Sequence, residues 1–157
     1  MKIHLLRHAK TEVLSPTGKD VDRELNAKGK RQVAEMKLFL SKKDWGNTTL
    51  FCSAAARTQQ TLKLLALESS FHKVTLTERL YLAESVEIEN CIASPECQDI
   101  FIIGHNNGLS DFAQELISEP YLLKTCSYVE IEVEGENWAE FKSRSGKIIS
   151  HFHPKVD

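Results

Sequence analysis

The sequence has few of the residues that mark fibrous, linker or polyanion-binding chains. Its 157 residues include only seven Gly and four Pro, too few for a collagen-like chain or a flexible linker. The formal net charge of −2 excludes a strongly basic nucleic-acid-binding protein. Hydrophobic residues make up 41% and charged residues 27%, as in ordinary globular proteins. The length therefore predicts one domain over residues 1–157.

Long apolar runs are also missing. The most apolar run, Ile100–Ile103, is far shorter than the roughly 18 residues that a membrane-spanning helix needs. The apolar segment near Met1 is likewise too short for a secretory signal peptide. We therefore expect a cytoplasmic protein that does not bind membranes. The cysteines have no C-x-x-C spacing, so we expect reduced, buried thiols at Cys52, Cys91, Cys97 and Cys126.

The signatures of several large enzyme classes are absent as well. The sequence has no Walker A loop and no G-x-G-x-x-G, H-E-x-x-H or G-x-S-x-G motif. Two histidines, His151 and His153, would share one face of a strand and form a possible metal pair. They lack nearby Cys or acidic ligands, and a solvent-facing position explains them more simply. The sequence thus predicts neither a metal nor a cofactor.

What the sequence does contain is a regular alternation of strand and helix patterns. The predicted strands cover residues 2–7, 48–52, 74–76 and 99–103. The predicted helices cover residues 26–42, 55–67, 85–93 and 109–117. This alternation predicts the α/β class: a single-domain, three-layer α/β/α fold whose mostly parallel central sheet carries helices on both faces.

The C-terminal part departs from this alternation. Val129, Ile131 and Val133 alternate with glutamates, which predicts a half-exposed strand. A turn followed by a return strand over residues 138–142 would form a hairpin, and a last strand is predicted at 148–152. We expect these strands to be antiparallel additions to the sheet.

Three of the predicted strands lead into residues suited to hold a phosphoryl group. The first ends in Arg7 and His8, the long apolar strand precedes His105, and Arg57 follows the second strand in the first turn of a helix. Ligands of parallel α/β sheets bind beyond the carboxyl ends of the strands, so these four side chains are expected to meet in one pocket. Each residue alone is explained as a surface charge or a helix cap, but their joint placement favours a site.

The chemistry of such a pocket follows from its residue types. The planar guanidinium group of arginine donates hydrogen bonds that match the geometry of phosphate oxygens, and it stays charged. Two arginines can therefore stabilise a phosphoryl group during its transfer. A neutral histidine can attack phosphorus as a covalent nucleophile, and a second histidine can donate to the phosphoryl oxygens. The N-termini of the helices that follow the strands add backbone N–H donors for the same anion. This chemistry requires no metal.

The segments that carry these residues resemble the signature blocks of a known family. Leu6–Ala9 is Leu-Arg-His-Ala, and Ser53–Thr61 matches Ser-Pro-x-x-Arg-x-x-Gln-Thr except for its second residue. Gly104–Ser110 matches Gly-His-Asn-Pro-Gly-Leu-Ser except for its fourth. In this order they resemble the histidine phosphatase superfamily, which includes the phosphoglycerate mutases. Arg23–Gly29 is similar to the Arg-Pro-Leu-Thr-x-x-Gly segment of the short SixA-like branch, the phosphohistidine phosphatases.

The resemblance implies roles for the candidate residues. His8 would be the nucleophile that becomes phosphohistidine, while Arg7, Arg57 and His105 would hold the phosphoryl group. Ala9 stands where the family usually has Gly, as it does in many short-branch members. The expected enzyme is therefore a metal-independent histidine phosphatase.

Two further positions bear on the branch and on phosphate binding. Arg23 would either bind the same phosphoryl group or pair at the surface with Asp20 or Asp22. The mutase pattern places an Asn six residues after the nucleophile, where this chain has Leu14. That departure argues against a mutase.

A general acid is the role with the weakest sequence signal. Larger family members use a carboxylate after the third strand to protonate the leaving oxygen, and the resemblance makes Glu78 and Glu84 the candidates here. Glu78 is the favoured candidate. A phosphohistidine substrate needs little acid assistance, because protonated imidazole leaves easily, so the weak signal fits that substrate better than an alcohol ester.

The spacing of the predicted elements leaves little room for a lid over the pocket. Only about 17 residues separate Leu67 from Ser85, where larger family members carry an insertion. An open pocket suits a phosphoryl group on a protein surface, so the favoured hypothesis is a SixA-like protein phosphohistidine phosphatase. The alternatives are a small-molecule phosphatase for sugar or nucleotide monoesters, and a catalytically weak phosphoprotein-binding module. No nucleic acid partner is expected, and the sequence does not indicate an oligomeric state.

Overall fold

A mixed six-stranded sheet organises the chain, with strand order β3-β2-β4-β1-β5-β6. The structure is a computed structural model that describes residues 1–93 and 95–157. The strands are β1 Lys2–Arg7, β2 Thr48–Ser53, β3 Lys73–Thr77, β4 Asp99–Gly104, β5 Tyr128–Glu132 and β6 Lys147–Phe152. The helices are α1 Ala27–Leu40, α2 Ala56–Leu65, α3 Ser85–Ile92 and α4 Gly108–Ile117. Within the described residues, no helix is both long and apolar enough to cross a bilayer.

The pairing of the strands confirms the predicted α/β class. β1, β2, β3 and β4 are mutually parallel neighbours, whereas β5 is antiparallel to β1 and β6 is antiparallel to β5. The register places Leu6 and Cys52 on either side of Ile103. The residues that follow, Arg7 and Ser53, therefore lie at the same edge of the sheet, and loops from three strands open onto it.

Two apolar layers cover the faces of the sheet. α1 and α2 pack on one face, where Val33 and Met36 contact a layer that includes Phe101. α3 and α4 pack on the other face, where Phe112 contacts a layer that includes Ile102. Adjacent strand residues serve opposite layers because side chains alternate along a strand. The helices therefore lie on both faces, as predicted from the sequence.

Two expectations for the C-terminal part were wrong. Residues 138–142 form no strand: Trp138 is buried in the layer of α3 and α4, and its indole Nε1 donates to the carbonyl oxygen of Cys97 at 3.0 Å. Bulky apolar groups there fill the core, and β6 pairs directly with β5.

Glu130 of β5 does not face solvent, although the alternating pattern predicted that it would. It is 3% exposed, and its carboxylate binds the ammonium groups of Lys43 at 2.6 Å and Lys2 at 3.1 Å. Two cations compensate the burial of this carboxylate.

The cysteines only partly follow the expectation of buried thiols. All four are free thiols in the structure. Cys52 and Cys126 are buried, and burial raises the pKa of each thiol to about 12. Cys91 and Cys97 are half-buried, because they lie at the rim of the apolar layer beneath α3 rather than within it.

Candidate active site

The four residues expected to share a pocket do meet at the carboxyl edge of the sheet. They line a cavity of about 310 Å³. His8 follows β1, Arg57 lies in the first turn of α2, and His105 follows β4. Arg7, the last residue of β1, completes the set. The remaining lining residues are Lys10, Thr11, Asp20, Arg23, Leu82, Asn106 and Thr125.

The hydrogen bonding of His8 fixes which of its nitrogens carries the proton. The ring is 8% exposed, and its Nδ1 lies 2.8 Å from the backbone carbonyl oxygen of Ala9. A carbonyl oxygen only accepts, so Nδ1 donates its proton and Nε2 keeps its lone pair. Burial first, and then the charges of Arg57 and Arg7, lower the pKa of His8 from 6.5 to about 4. At neutral pH the ring is therefore an uncharged imidazole with one nucleophilic nitrogen.

His105 lies close to His8 and is likewise neutral. The two ring centroids are 5.3 Å apart, and His105 Nε2 lies 2.8 Å from the hydroxyl oxygen of Ser53. Burial, followed by the proximity of His8 and Arg57, lowers the pKa of His105 to about 3. When the Ser53 hydroxyl donates to Nε2, the Nδ1 of His105 retains its proton and is a free donor. The edge of Tyr81 supports the ring from the side, with centroids 5.6 Å apart.

Arg7 and Arg57 bring two guanidinium groups to the same cavity. Arg7 donates from one terminal nitrogen to the carbonyl oxygen of Leu123 at 3.1 Å, and Arg57 is only 3% exposed. Burial and the neighbouring Arg57 lower the pKa of Arg7, but an arginine remains charged at physiological pH. The two positive charges are therefore close to each other and to the neutral His8.

Buried donors without a partner are concentrated here. In the described part of the chain, four buried side-chain polar atoms lack a hydrogen bond, and three of them are Arg7 Nε, Arg57 Nε and His105 Nδ1. An unsatisfied buried donor costs about 1–3 kcal/mol, so several of them in one cavity require a functional explanation. Arginine and histidine N–H groups are donors that suit an oxyanion with several acceptor oxygens, such as a phosphoryl group.

The sequence analysis considered Asp20 only as a surface partner of Arg23, and it is more central than that. Asp20 accepts from Arg57 at 3.0 Å, from Arg23 at 3.1 Å and from the Tyr81 hydroxyl at 2.6 Å. The Tyr81 hydrogen bond, followed by those of Arg23 and Arg57, holds the pKa of this carboxyl far below its usual range. Asp20 is thus ionised and cannot supply a proton in this arrangement. Its contact with Arg57 joins residues 37 positions apart, which local sequence patterns do not reveal.

Arg23 lines the cavity and also makes the ion pair with Asp20 that was the alternative prediction. Its Nε donates to the carbonyl oxygen of Glu12 at 2.9 Å, and its other terminal nitrogen donates to the Thr11 hydroxyl at 2.6 Å. These bonds hold the loop between β1 and α1 at the mouth of the cavity. Whether Arg23 binds phosphate directly stays a prediction.

The two glutamates considered as general acids are not among the residues that line the cavity. Glu78 is exposed at the start of a short 3₁₀ turn, Glu78–Leu80, and does not line the pocket. Glu84 is the N-cap of α3, and its carboxylate accepts from the backbone N–H of Glu87 while the Glu87 side chain accepts from the backbone of Glu84. In the described residues the cavity has one carboxylate, that of Asp20. The catalytic role proposed for Glu78 stays a prediction that this geometry does not favour.

The two C-terminal histidines lie in different settings. His151 lies on β6, whereas the Nδ1 of His153 is 3.0 Å from the hydroxyl oxygen of Ser127. Across residues 1–93 and 95–157, no three His, Cys, Asp or Glu side chains are grouped as a metal site would require.

Two arginines and a neutral, singly protonated histidine thus lie together at the carboxyl edge of an α/β sheet. This arrangement is suited to a protein that binds and transfers phosphoryl groups. The chain belongs to the histidine phosphatase superfamily, branch 1. The sequence model of this family matches residues 3–85, which is more than half of the chain. It is accordingly a phosphatase. Its nucleophile candidate His8, its Arg23 and its Arg57 lie within the matched segment, whereas His105 lies beyond it.

Solved structures share the fold of the chain, and a curated relative is similar along most of its length. A structure assigned to the phosphohistidine phosphatase SixA of Nakamurella multipartitia is similar with a TM-score of 0.84 at 21% identity, covering 99% of this chain and 96% of that one. One assigned to SixA of Agrobacterium tumefaciens gives a TM-score of 0.79 at 22% identity, covering 98% of each chain. The uncharacterized chloroplastic protein At3g52155 of Arabidopsis thaliana is 26% identical over 92% of this chain and 72% of its own length. The fold is therefore that of the short SixA type.

Proposed function

We propose that the protein is a phosphohistidine phosphatase that acts on phosphorylated proteins through a phospho-His8 intermediate. The observation that carries the proposal is the 2.8 Å hydrogen bond from His8 Nδ1 to the Ala9 carbonyl oxygen. This bond leaves Nε2 as an uncharged nucleophile in a cavity lined by Arg7 and Arg57.

The first step transfers the phosphoryl group from one imidazole to another. The lone pair of His8 Nε2 forms a bond to phosphorus while the bond between phosphorus and the substrate's ring nitrogen breaks. A substrate phosphohistidine that carries a proton on its other ring nitrogen departs as neutral imidazole, so no external acid has to donate. The new phospho-His8 keeps its Nδ1 proton, and the Ala9 carbonyl oxygen stabilises the resulting positive charge on the ring.

The second step hydrolyses the intermediate. Water attacks phosphorus from the side opposite His8, the bond from phosphorus to Nε2 breaks, and inorganic phosphate forms with loss of the water proton to solvent. The ring then departs as the neutral imidazole with which the cycle began, still protonated on Nδ1. Arg7, Arg57 and His105 would donate to the phosphoryl oxygens in both steps, where charge concentrates in the transition state.

The ionisable groups that line the cavity favour a substrate whose leaving group is a nitrogen rather than an oxygen. When phosphorus of a sugar or nucleotide monoester is attacked, the alcohol portion is expelled as an alkoxide unless a nearby donor protonates the bridging oxygen. Among the described residues that line the cavity, the carboxyl group present is the ionised Asp20, held by Arg57 and Tyr81. Glu78 and Glu84 lie elsewhere, and departure of a protonated phosphohistidine needs neither.

The experiment compares turnover of a phosphohistidine-containing protein with turnover of a panel of sugar and nucleotide monophosphates. We expect the phosphoprotein to be strongly preferred and ³²P to be trapped on the enzyme after an alkaline quench, which preserves phosphohistidine. His8→Ala should abolish both turnover and label, while His72→Ala, at an exposed histidine outside the cavity, should change neither. Efficient turnover of monoesters alone would indicate the small-molecule phosphatase, and phosphoprotein binding without label or turnover would indicate the binding module.

A further inference from the structure

A second cavity adjoins the proposed phosphoryl site and shares part of its wall. It measures about 310 Å³, and Arg7, Lys10 and Thr125 line both cavities. Its outer wall adds Lys28 from α1 and Lys124 from the loop between α4 and β5. A group bound here would lie beside the phosphoryl group, because Arg7, Lys10 and Thr125 line both cavities.

The positive charge of this cavity is uncompensated. In the described part of the chain, none of the ammonium groups of Lys10, Lys28 and Lys124 forms an ion pair, and the lining contains no carboxylate. This contrasts with a protein whose net charge is −2. His153 and both of these lysines line the same cavity, and burial, followed by the charges of Lys124 and Lys28, lowers the pKa of His153.

Hydrogen bonds hold the backbone segments that bear these lysines in place. The backbone N–H of Lys10 donates to the buried Gln32 at 2.9 Å, and Gln32 lies one helical turn after Lys28 on the same face of α1. The backbone N–H of Cys126 donates to the carbonyl oxygen of His8 at 3.0 Å, which ties the loop that bears Lys124 to the nucleophile itself. The cavity is therefore held at a fixed position relative to His8.

We infer that this second cavity binds an additional oxyanion, a carboxylate or a phosphate, carried by the same substrate molecule as the phosphoryl group. The inference rests on the proposed function in that the substrate is phosphorylated. In a protein substrate the group would be an Asp or Glu carboxylate next to the phosphohistidine, and in a small molecule it would be a second acidic group. The exposed Leu122 at the rim offers apolar contact beside the charge.

Binding measured without turnover tests this inference. In a His8→Ala background, calorimetry would compare ω-carboxyalkyl phosphates of graded chain length with their ω-hydroxyalkyl counterparts. A second pair of ligands would be phosphohistidine peptides with Glu or Gln beside the phosphorylated residue. We expect the carboxylate to improve affinity about tenfold at the best length, and Lys28→Gln/Lys124→Gln to remove that gain while inorganic phosphate binds within about twofold of the parent protein.

The matched control is Lys30→Gln/Lys37→Gln, which removes the same charge from exposed positions on the opposite face of α1. A gain seen only with peptides identifies a protein carboxylate, and a gain seen only with alkyl phosphates identifies a small molecule. An equal affinity for carboxylate and hydroxyl ligands of both kinds would overturn the second site. Because these measurements need no catalysis, that outcome is separate from a failure of phosphatase activity toward phosphohistidine.

Discussion

Arg57 donates to Asp20 through both terminal nitrogens, to its backbone oxygen at 2.8 Å and to its carboxylate at 3.0 Å. This pairing orients the guanidinium and leaves its Nε directed to no protein acceptor in the described residues. At the same time it places a negative charge on the wall of a cavity suited to an anion. Asp20 thus has two opposed effects on phosphate.

Replacing Asp20 should separate those two effects. In Asp20→Asn, loss of the negative charge should strengthen inhibition by inorganic phosphate about threefold, whereas looser positioning of Arg57 should lower kcat about tenfold. Steady-state kinetics with phosphate as inhibitor measure both values. Asp22→Asn is the control, because Asp22 bonds to Thr17 and not to Arg57. Unchanged kcat in Asp20→Asn would show that Asp20 does not position Arg57.

The pH dependence of catalysis should reflect the lowered pKa of His8. The nucleophile must be unprotonated, and its pKa is about 4 instead of 6.5. We therefore expect no loss of kcat/KM on the acid side near pH 6.5, and a fall only as the pH approaches about 4. The measurement is hydrolysis of a phosphohistidine protein at each pH, with the uncatalysed loss subtracted. An acid limb centred near 6.5 would mean that the nucleophile is solvated and ordinary.

The buried histidines should also make folding stability depend on pH. His8 and His4 have pKa values of about 4 and about 3 in the folded protein, against 6.5 in the unfolded chain. The unfolded chain therefore binds protons first as the pH falls, so the free energy of unfolding decreases below pH 6.5 and continues to decrease down to about pH 3, the pKa of His4. For His8 alone the loss is about 3 kcal/mol between pH 6.5 and about pH 4.

Urea unfolding at a series of pH values measures this loss. His8→Gln should remove part of the slope, because the titrating group is gone. His72→Gln, at an exposed ring, should leave the slope as it is. A slope that is identical in all three proteins would contradict the burial of a neutral His8.

Gly29 is needed where α1 approaches the active-site loop. A Cβ at this position would overlap the backbone carbonyl oxygen of Lys10, which accepts the backbone N–H of Asn26 at 3.0 Å. We expect Gly29→Ala to cost about 2 kcal/mol of stability and to reduce activity at temperatures where the protein stays folded, because Lys10 and Thr11 must move. Thermal unfolding and kinetics measure the two effects.

The control for that substitution is Gly46→Ala. Its nearest neighbour is the end of the flexible Asp44 side chain, at 3.3 Å from the added Cβ. Gly46→Ala should change stability far less than Gly29→Ala, and it should not change activity. If the two substitutions cost the same, close approach at Gly29 does not explain its presence.

Sequence patterns predicted the site residues that lie at the ends of strands. They did not predict contacts between side chains that are far apart in the chain. Arg7 and His8 end a strand, and the parallel sheet then brings His105 to them, so their convergence follows from strand ends alone. The bond between Asp20 and Arg57 requires the β1–α1 loop to fold back over α2, which no periodicity encodes.

The same limit explains the other omissions. The second cavity draws its lysines from three separate segments, around residues 10, 28 and 124, so no local motif indicated it. Trp138 was assigned to a return strand because it follows a predicted turn, but a single large side chain can also fill a gap between helices and sheet. Glu84 was considered as an acid, although it serves as the N-cap of α3.

The bond between His8 and the Ala9 carbonyl comes from the main chain, and this has a consequence for engineering. No side-chain substitution removes that acceptor, so redesign of the surrounding walls leaves Nε2 of His8, the proposed nucleophile, without a proton. Under the proposed function, substrate selectivity can accordingly be altered by exchanging the lysines and loops around the cavity, while the His8 ring keeps the protonation state set by its own backbone.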